Sequence, residues 1–183
     1  MITFTFKFDK ALQATAYLLR REPTRQMNYM RLLKVLYVTE RESIRLTGRP
    51  ITGDGVAALE RGPVLSEVLD LIKGSHLRSP EWSSFIQKND YDVRLVQEPG
   101  VGKLSKFEIE LLEKVAEDNR ARDEWAMVEL THAFPEWSRN NPGKSRKWIP
   151  LHDILEAVGR PADEADIEDD AKAGHAFARL FGA

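Results

Sequence analysis

The chain has 183 residues and no cysteine, which excludes disulfides, thiolate metal sites and cysteine nucleophiles. That composition suits a reducing compartment, and a cytoplasmic location is expected. Long hydrophobic runs are also missing. The longest stretch without a charged residue, Ala11 to Leu19, has nine residues, about half of the roughly 20 that a helix needs to cross a bilayer. No membrane role is expected. The opening MITFTFKFDK lacks the basic start, apolar block and small-residue cleavage site of a secretory leader. Histidine is scarce: His76, His132, His152 and His175 form no H-E-x-x-H or other close ligand pair, whereas catalytic zinc takes three protein ligands and a water. His152 and Glu156, four apart, have the spacing of a surface pair on a helix. Neither a metal nor a cofactor is expected. The chain also has no Lys/Arg block, zinc-finger spacing or RNP motif to mark a nucleic-acid module.

What is present fits one globular domain over 1–183, since 42% hydrophobic and 31% charged residues are ordinary values for a chain with a core. The net charge of -2 conceals an asymmetry. Residues 1–49 carry ten Lys/Arg against four Asp/Glu, and 153–170 carry one against eight, so the segments stand at +6 and -7. Either the two ends pair within the fold or they offer partners faces of opposite sign.

Ile2, Phe4, Phe6 and Phe8 alternate with polar residues, the period of a half-buried strand. Asp9 is placed to cap a helix over 10–21 that ends before Pro23. The pattern NYMRLLKVLYVTERESIRLTGRP predicts a helix over 29–47, capped by Asn28 and stopped by Gly48. Leu32, Leu33, Leu36, Tyr37 and Ile44 form its apolar stripe, while Arg31, Lys34, Arg41 and Arg45 are expected to face water. Gly62-Pro63 reads as a helix start with proline at the first position, and Gly74 as that helix's stop. Residues 75–104 read as irregular apart from YDVRLVQ at 91–97, a strand expected to pair with the N-terminal one. Ser105 and Glu108 form an S-x-x-E capping box before a helix over 106–119. Helices follow at 124–131, 149–158 and 163–181, with an exposed basic loop at 139–147. The expected fold is mainly α (α+β), a compact bundle of six to seven helices with a small antiparallel β element.

Few groups in this chain suggest chemistry. TGDG lacks the lysine of a phosphate loop and the spacing of a dinucleotide fingerprint, so its glycines read as turn formers, with Asp54 bonding back to its own backbone. Glu40 and Glu42 point to different sides of their helix, which argues against a paired acid and base. In EWAMVELTHAFPEWSR, Trp125, His132, Pro135 and Trp137 cluster in sequence, a composition shared by cores and binding hot spots. No catalytic residue is assigned. An unfamiliar site built from Glu40, Asp54 and His132 is the enzymatic alternative, and a nucleic-acid-binding regulator using the basic N-terminal half is another.

The order of a Gln-bearing first helix (Gln13 to Leu19), LLKVLYVTE (32–40), GRPITGD (48–54) and RGPV (61–64) resembles the Panacea domain, also called the SocA-like antitoxin domain. LSKFEIELLEKV and LTHAFPEW are similar to later segments of that family. The likeness extends over 8–158, with 159–183 as a helical extension, and LLKVLY stands where KLLY is more usual. The resemblance implies a mostly helical domain that neutralises a cognate toxin by direct protein contact, in some members with delivery of the toxin to a protease. A protease or chaperone is thus a further partner. The residues expected to shape the domain or touch a partner are Arg49, Pro50, Asp54, Arg61, Gly62, Pro63, His132 and Trp137. The stretch 48–64 reads as a shaped connector between two helices.

Overall fold

The computed structural model describes residues 3–181, the side chains of 178 and 181 excepted. In chain order its elements are α1 (Phe8–Arg21), β1 (Gln26–Asn28), α2 (Tyr29–Thr47), β2 (Val56–Leu59), β3 (Gly62–Leu65), α3 (Ser66–Lys73), α4 (Ser79–Ser83), β4 (Ile86–Asn89), β5 (Asp92–Leu95), α5 (Lys106–Asp118), α6 (Glu124–His132), α7 (Pro135–Arg139), β6 (Lys147–Trp148), α8 (Leu151–Ala157), a 3-10 turn (Pro161–Asp163) and α9 (Glu164–Phe181). The fold is mainly helical α+β. The two five-residue helices α4 and α7 add to the seven expected from periodicity.

Helix α2 is the centre. Its ends are those that the sequence specifies: the Asn28 side chain accepts from the Met30 and Arg31 N–H groups, and Gly48 closes the helix at φ 75°. Residues 32–40 are all buried, because α1, α3, α5, α6, α8 and β3 pack around the helix. Burial of Leu32, Leu33 and Leu36 contributes roughly 1.5–3 kcal/mol apiece. Encirclement also corrects one expectation: Lys34 does not face water but is 1% exposed.

Two three-stranded antiparallel sheets flank the bundle, in the orders β1-β5-β4 and β3-β2-β6. The strand predicted near residue 93 exists, but it pairs with β1 and β4 and not with the N-terminal segment. Among the described residues of that segment there is no strand. Residues 3–7 run without regular structure, and Ile2 lies outside the described residues. Phe4 and Phe6 are half-buried against the core, and the Lys7 N–H donates to the Thr52 carbonyl at 2.7 Å. The segment's backbone bonds to the loop after α2 and not to a strand, so the alternation packs aromatic rings without a ladder. Helix α1 begins at Phe8, so Asp9 lies in its first turn and not at its cap.

Gly62 and Pro63 likewise begin a strand, not a helix. Val56–Leu59 and Gly62–Leu65 pair as a hairpin, and α3 starts only at Ser66. Pro63 is tolerated because β3 is an edge strand, where a missing N–H interrupts no ladder. The connector of 48–64 is therefore a loop followed by most of a β-hairpin. The capping box of α5 is present, with Ser105 and Glu108 satisfying each other's backbone N–H groups.

Candidate interaction site

Three polar clasps surround α2 and involve most of the residues singled out from sequence. In the first, the Lys34 ammonium donates to the Pro63 carbonyl at 2.8 Å. Gly62, at φ 99°, lies so close that a Cβ there would stand 2.8 Å from Thr131 Oγ1 and 2.9 Å from Lys34 Nζ. Only glycine meets both the conformation and the space. Burial pushes the Lys34 pKa down from 10.5 to about 7. The His132 ring stacks on Trp137 at 3.9 Å between centroids, and Trp137 Nε1 donates to the Leu59 carbonyl at 3.1 Å. Burial, then the neighbouring Lys34 charge, lowers the His132 pKa. Gly62, Pro63, His132 and Trp137 thus belong to one cluster that ties the hairpin to α2, α6 and α7.

The second clasp is a buried carboxylate. Glu136, 0% exposed, accepts from the Tyr37 hydroxyl at 2.6 Å and from Arg41 Nε at 2.7 Å. Burial and the Glu136 charge raise the Tyr37 pKa well above its usual value, which keeps the phenol a donor.

The third clasp sets the loop after α2. Glu40 accepts from the Ile51 N–H at 2.5 Å, the Thr52 N–H at 2.7 Å and the Thr52 hydroxyl. Burial raises its pKa. Asp54 does not bond back to its own backbone as the TGDG turn implies. Its carboxylate accepts from the Glu67 and Val68 N–H groups at 2.9 and 3.0 Å, thereby capping α3 from a distance. Burial pushes Asp54 up from 3.8 to about 7 against those two donors.

Glu40 thus holds the loop after α2, Asp54 caps α3 and His132 stacks on Trp137. Arg49 is exposed and ion-paired with Asp170 of α9, while its carbonyl accepts from Ser43 Oγ at 2.7 Å. Pro50 lines the clefts on either side of the N-terminal segment. Arg61, at the hairpin turn, lies over the Trp125 ring at 5.2 Å, and Trp125 is 53% exposed. His152 and Glu156 form the surface pair that their spacing predicts, at 3.3 Å, and the cation between Glu156 and Asp153 is Arg139.

Pattern alone places Tyr37 in the buried stripe but gives no role to Lys34 or Glu136, although for Lys34 a signal exists. Lys34, Tyr37 and Arg41 recur at three and four residues along one helical face, so one lysine inside LLKVLY shares its stripe with a buried aromatic residue.

No curated protein and no solved structure matches the chain. A family model described as antitoxin SocA-like, Panacea domain, matches residues 32–138, which begin in α2 and end in α7 and so contain all three clasps. With more than half of its length matched, the chain belongs to the SocA-like antitoxin family and carries its Panacea domain.

Proposed function

We propose that this protein is an antitoxin that neutralises a cognate toxin by direct protein contact. The match over 32–138 carries the proposal. The structure supports it by what the motif residues do: the buried polar groups of LLKVLY, GRPITGD and RGPV hold the fold together, while Arg49 and Arg61 stay exposed. What remains available for function is surface. A standard interface takes about 800 Å² from each partner, a small fraction of the 9522 Å² accessible here. Candidate contact regions are the acidic segment 163–170, the basic loop 139–147 and the exposed part of 48–64, including Arg49 and Arg61.

The nucleic-acid alternative loses its main support. Of the ten Lys/Arg in 1–49, Lys10, Arg20, Arg21, Arg25, Arg31, Arg41, Arg45 and Arg49 pair with carboxylates and Lys34 is buried. Among the described residues that leaves Lys7. A segment neutralised locally is a poor phosphate track.

Co-expression with the product of the adjacent gene tests the proposal, scored by growth and co-purification. Rescue of a toxic neighbour together with a stable complex is expected. A toxic neighbour that is not rescued, or two proteins that never associate, overturns it. Toxin levels in the same strains separate blocking, where they stay constant, from protease delivery, where they fall.

A further inference from the structure

A cleft of about 790 Å³ runs between the N-terminal segment, the loop after α2, the start of α5 and α9. Five of the chain's eight phenylalanines line it: Phe4, Phe6, Phe8, Phe107 and Phe177. Phe107 and Phe177 are 39% and 59% exposed. On α9, Ala171 and Gly174 face the cleft with little or no side chain to fill it. Partly exposed aromatic rings in a concave, incompletely filled surface match the aromatic enrichment of protein-protein interfaces.

The charges around this cleft specify what enters it. The lining holds Lys7, Lys10, Arg49, Arg78 and Lys103 against Asp9, Glu108 and Asp170. Lys10 pairs with Glu108, Arg49 with Asp170, and Arg78 with Glu81 and Asp9. The excess is two lysines, Lys7 and Lys103. Both are exposed, and among the described residues neither has an ion pair. An aromatic cleft with two uncommitted ammonium groups complements a segment in which bulky apolar side chains alternate with carboxylates.

We infer that this cleft is the docking groove for an acidic, apolar-rich segment of the toxin, an inference that rests on the antitoxin function proposed above. The apolar side chains enter among Phe6, Phe107 and Phe177, and the carboxylates meet Lys7 and Lys103. The lysines act chiefly on encounter, and the aromatic rings on residence time.

The experiment uses the full chain and the full-length product of the adjacent gene. Lys7→Glu/Lys103→Glu and Phe107→Ser are each compared with Trp148→Ala, which lies outside the cleft, after circular dichroism and melting confirm folding. Each cleft variant is expected to weaken binding at least about tenfold, the double lysine variant losing most of its effect at high salt, while Trp148→Ala binds like the parent. Synthetic peptides tiling the toxin, titrated into the labelled full chain, give a second readout that needs no variant. One acidic tile is expected to shift the resonances of Phe107, Phe177 and Lys103. If the parent binds the toxin but both cleft variants bind equally well, or the active tile is basic or shifts only residues elsewhere, the groove assignment fails and the antitoxin function stands. Altered self-association with unchanged toxin binding makes the cleft a homotypic contact and also overturns the assignment. If the parent never binds the toxin, both proposals fall.

Discussion

Lys34 gives the plainest case of a residue whose role is decided by its surroundings. Folded, it releases its proton near pH 7, whereas in the unfolded chain it does so near 10.5. Between those values the unfolded chain binds more protons, so the Lys34 contribution to stability rises with pH across that window and is least below it. Lys34→Met is expected to remove this slope. The check is the difference in urea midpoint between parent and variant at about pH 6 and about pH 9, which should favour the variant more at the lower pH. Asp54 behaves in the opposite sense. Its folded pKa of about 7 lies above the unfolded 3.8, so between them the folded protein binds more protons and the Asp54 contribution falls as pH rises. Asp54→Asn should flatten stability across that window. It should also cost about 1–3 kcal/mol near neutral pH, because the Glu67 and Val68 N–H groups meet separate Asp54 oxygens, and the amide turns one of them into an NH2 that faces a donor. Equilibrium unfolding of the variant from pH 4 to pH 8 checks both effects.

At the scale of elements, the hairpin Val56–Leu65 shows how a short sequence is read differently once it has neighbours. Gly-Pro before an apolar run suits a helix start, but β2 offers β3 a ladder and Lys34 offers the Pro63 carbonyl a donor. Gly62 makes that docking sterically feasible. Gly62→Ala combines a left-handed backbone with a Cβ under 3.0 Å from Thr131 and Lys34, and it should cost at least about 2 kcal/mol. Chemical denaturation measures the loss, and hydrogen exchange should place it in β2, β3 and α6. Helices α2 and α5 contrast with the hairpin. Asn28, Gly48 and the Ser105/Glu108 box act within one turn of chain, so local sequence specified both helices' boundaries almost to the residue. The short helices α4 and α7 carry too few residues for periodicity to register, and they exist because Trp82 and Trp137 are buried by the core.

Over the whole molecule, the charge asymmetry resolves mostly into pairs between neighbours in space. The basic N-terminal half meets Glu98, Glu108, Glu113, Glu117 and Glu136 from the middle of the chain, and Arg49–Asp170 links it to the acidic end. Helix α9 covers the loop after α2, burying Ile167 against Gly48. Truncation after Val158 exposes that surface, removes the Asp170 partner of Arg49 and strips one wall from the phenylalanine cleft. A loss of roughly 2–4 kcal/mol is expected, read as a lower urea midpoint, together with weaker toxin binding in the co-purification assay. A truncated chain that is as stable and as competent as the parent would show α9 to be dispensable.

The sequence by itself determined the boundaries of α2 and α5, the helix-dominated α+β class and the family, because caps and periodicity act through neighbours a few residues apart and the GRPITGD and RGPV motifs are legible as strings. Only the tertiary structure decided that Lys34 is buried, that Asp54 caps a helix thirteen residues away, that Phe4 and Phe6 pack outside any sheet, and that Lys7 and Lys103 meet at one cleft. Those outcomes depend on which surfaces come to enclose a side chain. Burial, and the pKa shifts and hydrogen bonds that follow from it, is a property of the assembled neighbours and not of the residue's own stretch of chain.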